Sequence, residues 1–419
     1  MNTHDPYQAL RSSEFVRYLL SHYLDIFGLQ MLITAVGWEL YERTSSAFVL
    51  GLVGLMQFLP ILLFSLPIGH IVDTRERKMI LLLAQAFMIV AAIGLAAVSL
   101  FQGSLFIAYG CLSLIGLASA MSMPARAAFF PQLLTSSSLP NAVTWNNSVR
   151  QIASVLGPVF GGLTIAVSGN AQWAYFGYIL CSIIFIVLIA SIQTRTSEHV
   201  HQPWSLVSLF AGIRFILSTK LILATITLDL FAVLFGGATA LLPLFARDIL
   251  HIGPVGLGWL RTAPAIGAIV MSLSIAYRPP MRRAGITMLF AVSGYGLSMI
   301  IFGLSVNPYL SFFMLLLGGA LDTISVIVRH TLLQVLTPPA MLGRVYAVNT
   351  LFGISSNELG GFESGTTAQL FGPIASVVGG GVASILIVIL SVLLWPEVAT
   401  LKSIQRSKDT TDNPLNIKI

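Results

Sequence analysis

Long apolar segments recur along the whole chain, and they restrict its fold more than any other feature. Runs of about twenty residues with few or no charges alternate with short polar or Gly/Pro-containing stretches. A bilayer core takes roughly 20 such residues as one helix. Only 9% of the residues are charged, whereas soluble domains carry roughly a quarter. The sequence therefore predicts an all-α membrane protein that crosses the bilayer many times.

The polar and Gly/Pro punctuation divides the sequence into twelve predicted transmembrane helices. Their approximate ranges are 16–41, 47–72, 78–101, 104–134, 139–167, 171–193, 220–247, 254–277, 284–305, 308–336, 340–369 and 372–396. The N-terminal stretch has no apolar core followed by a small-residue cleavage site, so we expect no signal peptide.

The basic residues between the apolar segments indicate the orientation. With the N-terminus inside, sixteen Lys and Arg residues face the cytoplasm, and only Arg43 and Arg247 face outside. Both termini are therefore expected in the cytoplasm. Loop placement also accounts for the net charge of +6, so no nucleic-acid partner is expected.

A repeated sequence predicts two pseudo-symmetric halves of six helices. QLLTSSSLPNAVTWNN from Gln132 aligns with QVLTPPAMLGRVYAVN from Gln334 at a constant offset of 202 residues. We expect a tail (1–15), a first half (16–193), a linker with an amphipathic helix (194–219), a second half (220–396) and a second tail (397–419). Parallel six-helix repeats are typical of transporters whose substrate site lies between the halves near the midplane.

The stretch GHIVDTRERK resembles the loop between the second and third helices of the major facilitator superfamily. The matching residues are Gly69, Asp73, Arg77 and Lys78, whereas Thr74 stands where the family usually has Arg. The resemblance implies a charge relay that latches the cytoplasmic side, and Glu358 in the second half is a candidate contact for it. From the residues alone, an ordinary positive-inside loop is the alternative.

Three further stretches resemble branches of this superfamily. Gly157-Pro158-Val159-Phe160-Gly161-Gly162 resembles a motif of its proton-coupled exporters, which implies a hinge at Gly157, Pro158, Gly161 and Gly162. A purely structural helix crossing explains the same glycines. AGIRFILSTKLI and SSNELGGFESGTTAQLFG resemble the branch that contains the bacterial enterobactin exporter, which implies a bacterial inner-membrane protein.

Charged side chains inside predicted spans are the candidate functional residues, because each costs roughly 2.5–3.5 kcal/mol at mid-bilayer on insertion scales. In this superfamily spans one, four, seven and ten line the central cavity. His22 and Asp25 lie three apart on one helix face, and Leu24-Asp25-Ile26-Phe27 is echoed around Asp229. We predict Asp25, Asp229 and His22 for proton coupling. The predicted cavity residues are Arg126, Asp322, Arg329 and Glu363. Static interhelical salt bridges are the alternative.

These features favour a secondary active exporter that exchanges protons for an organic small molecule, such as a siderophore or an amphipathic drug, by alternating access. An importer or a lysophospholipid flippase of the same fold is the alternative, and a membrane sensor or scaffold comes after them. The sequence has no phosphate-binding Gly loop, zinc spacing or nucleophile elbow, so no enzyme, cofactor or metal site is expected. The expected partners are a small-molecule substrate, a coupling proton and the lipid bilayer, with the protein a monomer.

Overall fold

The computed structural model describes residues 5–135, 137–193, 206–277 and 283–401. These ranges contain helices and no β-strand. Twelve long helices follow one another: α1 (Ser13–Thr44), α2 (Ala47–Thr74), α3 (Arg77–Leu100), α4 (Leu105–Phe129), α5 (Leu139–Ser168), α6 (Gln172–Ala190), α7 (Lys220–Phe235), α8 (Gly253–Ala276), α9 (Ala284–Leu304), α10 (Pro308–Leu336), α11 (Leu342–Phe371) and α12 (Pro373–Leu394). A shorter helix, Leu206–Ser218, precedes α7 and is called the linker helix.

Eleven of the long helical stretches are long and apolar enough to cross a membrane. The remaining one, α11, has 30 residues and is more polar, since it carries Arg344, Glu358 and Glu363. In order along the chain, α1–α12 correspond to the twelve predicted segments. The prediction of an all-α, multi-pass membrane protein is confirmed.

The seventh predicted segment is less regular than its apolar sequence indicated. Helix α7 stops at Phe235, and the chain continues through a 3-10 turn (Ala238–Leu241) and a π-helical turn (Phe245–Ile249). The interruption lies at Gly236 and Gly237, where a Cβ added to Gly237 would approach the carbonyl oxygen of Gly360 to 2.5 Å. The missing side chain therefore allows the end of α7 to lie against α11.

The chain divides into two compact units. The first comprises Met1–Ser45, Leu52–Trp204 and His251–Thr262, and the second comprises Ser46–Gly51, Ser205–Leu250 and Ala263–Ile419. Within the first unit, α1 packs on α5 and α6, and α3 packs on α4 and α6. Within the second, α7 packs on α11 and α12, and α9 packs on α10 and α12. The order of helix partners is the same in both units, in agreement with the predicted duplication.

Each unit has its own apolar core, which fixes the helices that carry the candidate charges. In the first unit, Phe15 of α1, Phe129 of α4 and Ile189 of α6 are fully buried in one cluster. In the second, Leu228 of α7 and Leu332 of α10 belong to one such cluster. Asp229 follows Leu228 directly, and Arg329 lies three residues before Leu332. The cores therefore set the separation of the helices between which these charges lie.

Candidate functional site

Asp25 and Arg126 form an ion pair between α1 and α4 inside the first unit. The Nη2 atom of Arg126 lies 2.7 Å from Oδ2 of Asp25, and only 2% of Asp25 is exposed. The other carboxylate oxygen, Oδ1, has no hydrogen-bond partner among the described residues, and neither has Nε of Arg126. The pair is thus held by one short contact rather than by the two parallel bonds of a bidentate arrangement.

His22 shares the same guanidinium. Its Nδ1 atom lies 3.2 Å from Nη1 of Arg126. A guanidinium can only donate hydrogen bonds, so Nδ1 of His22 must accept and carries no proton in this arrangement. The structure therefore brings His22 and Asp25 together through Arg126. A proton added to Nδ1 would remove this hydrogen bond and set two positive charges against each other.

Aromatic rings surround this cluster. The ring of Tyr18 stacks on the imidazole of His22, with centroids 5.9 Å apart and an interplanar angle of 13°. The guanidinium carbon of Arg126 lies 5.5 Å from the ring centroid of Phe185 on α6, within the range of a cation–π contact. Helices α1 and α6 thus each contribute one ring to this cluster. The rings restrict the positions that Arg126 and His22 can take.

The second unit repeats this pairing. Nη1 of Arg329 on α10 forms a salt bridge with Oδ2 of Asp229 on α7, and both residues are buried. Asp229 follows Asp25 by 204 positions, and Arg329 follows Arg126 by 203. The two ion pairs therefore occupy equivalent places in the two halves.

Asp322 and Glu363, predicted as cavity residues, stand apart from these pairs. Asp322 is half-buried on α10 and forms no ion pair or hydrogen bond with any described residue. It precedes Arg329 by seven residues, about 10 Å along the helix axis, and Arg329 pairs with Asp229 instead. Glu363 is half-buried on α11, where its Oε2 atom accepts a hydrogen bond from the Ser364 hydroxyl at 3.3 Å. Asp322 is thus a half-buried acid without a counter-ion in the described part of the chain.

The glycines of the predicted hinge motif lie in close helix contacts within the first unit. A Cβ added to Gly157 would approach the carbonyl oxygen of Phe27 on α1 to 2.6 Å, and one on Gly161 would approach that of Met31 to 2.9 Å. A Cβ on Gly162 would meet the carbonyl oxygen of Pro254, at the start of α8, at 2.3 Å. Only glycine permits these approaches. Pro158 is buried beside them, and the hinge itself stays a prediction.

The predicted latch residues lie at the ends of α2 and α3. Lys78 donates hydrogen bonds at 2.8 Å to the carbonyl oxygens of both Ala190 and Ile192, so its ammonium group binds the C-terminal end of α6. Gly69 lies near the end of α2, and Arg77 is half-buried at the start of α3. The side chain of Asp73 lies outside the described residues. Glu358 is half-buried on α11, and the charge relay stays a prediction.

A third buried acid, Glu39, was missed by the sequence reasoning. The hydroxyl of Tyr175 on α6 donates to its Oε2 atom at 2.6 Å, and Nη1 of Arg43 lies 3.7 Å from Oε1. The i,i+4 spacing of Glu39 and Arg43 is a signal for such a pair. The contribution of Tyr175 could not be read from the sequence, because the two residues lie 136 positions apart.

Comparison with known proteins gives the family. Residues 5–418 match the family described as transmembrane secretion effector. The chain is 26% identical over 403 residues to the enterobactin exporter EntS of Shigella boydii serotype 4 (strain Sb227), covering 95% of this chain and 94% of that protein. The corresponding exporter of Citrobacter koseri is 27% identical over the same length.

Solved transporter structures share the fold. A mutant of the nucleoside transporter NupG superposes with a TM-score of 0.74 at 12% identity, covering 91% of this chain and all of that one. A bacterial homologue of the human lysosomal transporter Spinster superposes with a TM-score of 0.72 at 14% identity, covering 95% of this chain and 99% of that one. At such identities the likeness concerns the fold alone. The family match over nearly the whole chain shows that the protein belongs to the transmembrane secretion effector family of major facilitator transporters, and it is a transporter rather than an enzyme.

Proposed function

We propose that this transporter is a proton-coupled exporter of an organic small molecule, such as a siderophore or an amphipathic drug, and that it works by alternating access. It would lie in a bacterial inner membrane with both termini in the cytoplasm. The exporters of 26–27% identity support the direction of transport and a siderophore as the first substrate to test. The observation that carries proton coupling is the sharing of one partly buried guanidinium, that of Arg126, between Asp25 and His22.

The coupling step would use the competition between a proton and Arg126 for the same groups. Oδ1 of Asp25 is free of hydrogen bonds with the described residues, so a proton can bind there before the contact with Arg126 is broken. Protonation of Asp25 removes the negative charge that holds Arg126, and protonation of His22 removes the acceptor. Loss of the Asp25 charge would release the guanidinium toward substrate or water, and protonation of His22 would weaken its attachment further. Return of Arg126 to Asp25 would expel the proton.

Arg150 supports a substrate that carries an acidic group. It is exposed on α5. It forms no ion pair or hydrogen bond with a described residue. A charged side chain inside a membrane helix normally faces a partner, a cavity or water. An anionic group on the substrate would supply the missing counter-charge.

The first test compares a deletion strain with its complemented strain, measuring small molecules in cells and medium by mass spectrometry under iron-rich and iron-poor growth. If the protein exports a metal-chelating compound, we expect that compound to stay inside the deletion strain and to be released on complementation. If no chelator is exported but a toxic amphiphile is, the protein is still an exporter, and its substrate is an amphiphile rather than a siderophore. If no compound differs between the two strains in its distribution between cells and medium, the export proposal is wrong.

Coupling is tested in vesicles with an imposed pH gradient, using enterobactin or the compound found above. Asp25→Asn alone would leave Arg126 without its counter-ion, so the double variant Asp25→Asn/Arg126→Gln is measured beside it. We expect both to lose gradient-driven accumulation, whereas the double variant keeps its fold. The same measurement is made on His22→Gln, in which the side chain keeps a hydrogen-bond acceptor but has no titrating group. Asp5→Asn, which changes an acid before α1, is the matched control. Full gradient-driven transport by a folded double variant would remove Asp25 from the coupling step.

A further inference from the structure

An apolar groove lies within the second unit, between the linker helix, α7 and α11. Its volume is about 190 Å³, and eight of the nine described residues that line it are apolar. The lining residues are Ile213, Ile216 and Leu217 of the linker helix, Leu223, Ile226, Thr227, Leu230 and Phe231 of α7, and Phe352 of α11. No candidate transport residue lines this groove, so it is separate from the site described above.

One wall of the groove is a long stripe of α7. Its α7 wall runs from Leu223 to Phe231 along one helix stripe, about 12 Å at 1.5 Å per residue. That stripe starts three residues after Lys220, where α7 begins, and continues toward the middle of the membrane helix. Phe352 lies ten residues after the start of α11 and therefore extends the wall to a similar depth. A compact polar ligand would not match these walls, whereas an acyl chain would.

Two exposed arginines lie near the residues that line the groove. Arg214 follows Ile213 in the linker helix and is exposed, and Arg344 is exposed in the first turn of α11. The two helices touch there, because a Cβ added to Gly212 would lie 3.1 Å from the carbonyl oxygen of Arg344. Residues 206–219 and 342–357 contain no acidic residue. Neither arginine forms an ion pair with a described residue.

From these features we propose that the groove binds an anionic phospholipid of the surrounding bilayer, with one acyl chain along α7 and the phosphate at Arg214 and Arg344. Guanidinium groups bind phosphate oxygens with directed, charge-assisted hydrogen bonds. Basic residues beside a membrane helix also attract anionic lipids. The lipid would connect the linker helix to α7 and α11 and would stay bound when most of the bilayer is removed.

The proposal is tested on the purified full-length protein by native mass spectrometry after incubation with phosphatidylglycerol or phosphatidylcholine of equal chain length. The wild type is expected to retain phosphatidylglycerol more strongly, on the order of tenfold in apparent affinity. Arg214→Gln/Arg344→Gln is expected to lose this preference. Arg283→Gln, which changes an exposed base at the start of α9, is the matched control and is expected to keep it.

A second variant tests the acyl chain. Thr227→Phe fills the groove from the one polar residue among the described lining residues and is expected to lower the retention of both lipids. Equal retention of the two lipids by the wild type would overturn the proposal, as would a preference unchanged in Arg214→Gln/Arg344→Gln. Displacement of the lipid by glycerol phosphate alone, or retention unaffected by Thr227→Phe, would place the acyl chain elsewhere and also overturn it.

Discussion

The carboxylate of Asp25 lies 2.7 Å from the guanidinium of Arg126, although the two residues belong to the first and fourth membrane helices. The equivalent helices of the second half, α7 and α10, are joined in the same way by Asp229 and Arg329. Each half thus contains an ion pair in which a buried acid and a base on another helix compensate each other. Desolvation makes either charge costly on its own, so each residue of a pair depends on the other.

Removing one charge of the first pair should therefore cost more than removing both. Asp25→Asn and Arg126→Gln, made singly, are each expected to lower the free energy of unfolding by about 3–5 kcal/mol. The double variant should recover most of this loss, since neither charge is then left alone. The measurement is the thermal unfolding of the purified proteins in one detergent. Additive losses in the double variant would show that the two side chains do not compensate each other.

In the second half, Asp229 and Asp322 look alike in the sequence, but replacing them should have different effects on stability. Asp229→Asn leaves Arg329 without its counter-ion, and we expect a loss of about 3–5 kcal/mol in the free energy of unfolding. Asp322 has no ion-pair partner among the described residues, so Asp322→Asn should stay within about 1 kcal/mol of the wild type. Unfolding curves of the two variants in parallel give the comparison. Equal losses would mean that Asp322 has a counter-ion.

The sequence predicted the membrane helices and the charged residues because both follow from the cost of exposing polar groups to lipid. Asp25 and Asp229 stood out as acids in apolar segments, and Arg126 and Arg329 as bases. Which acid meets which base could not be predicted, because the pairing depends on how α1 packs near α4 and α7 near α10. Asp322 and Arg329 were both predicted as cavity residues, and Arg329 contacts Asp229 on another helix.

The interruption of α7 was hidden for a similar reason. Gly236 and Gly237 lie in a stretch that is apolar throughout, and hydropathy does not distinguish a broken helix from a continuous one. The break becomes visible only beside α11, where Gly237 approaches Gly360. The same limit applied to Glu39, whose buried partner Tyr175 lies on α6.

The contact between α5 and α1 should not tolerate a side chain at Gly157. Gly157→Ala would bring a Cβ to 2.6 Å from both the Phe27 carbonyl oxygen and the Gln30 Cβ, so the helices must separate. We expect a loss of about 1–3 kcal/mol in the free energy of unfolding. The control is Gly110→Ala in α4, where an added Cβ would meet no atom of another helix within 4 Å, and it should be neutral or slightly stabilising. A neutral Gly157→Ala would contradict the close packing.

The buried hydrogen bond between Tyr175 and Glu39 should stabilise the first unit without taking part in proton coupling. Tyr175→Phe leaves Oε2 of Glu39 without its donor at 2.6 Å, and we expect a loss of about 1–3 kcal/mol in the free energy of unfolding. In the Glu39→Gln background the same change should cost less, because a neutral amide needs the donor less than a buried carboxylate does. Tyr277→Phe, at an exposed tyrosine, is the control. Thermal unfolding of the four proteins of this cycle measures the coupling energy, and gradient-driven transport by Tyr175→Phe at a permissive temperature should match the wild type. A transport defect that persists there would assign Glu39 a part in transport and contradict a purely stabilising role.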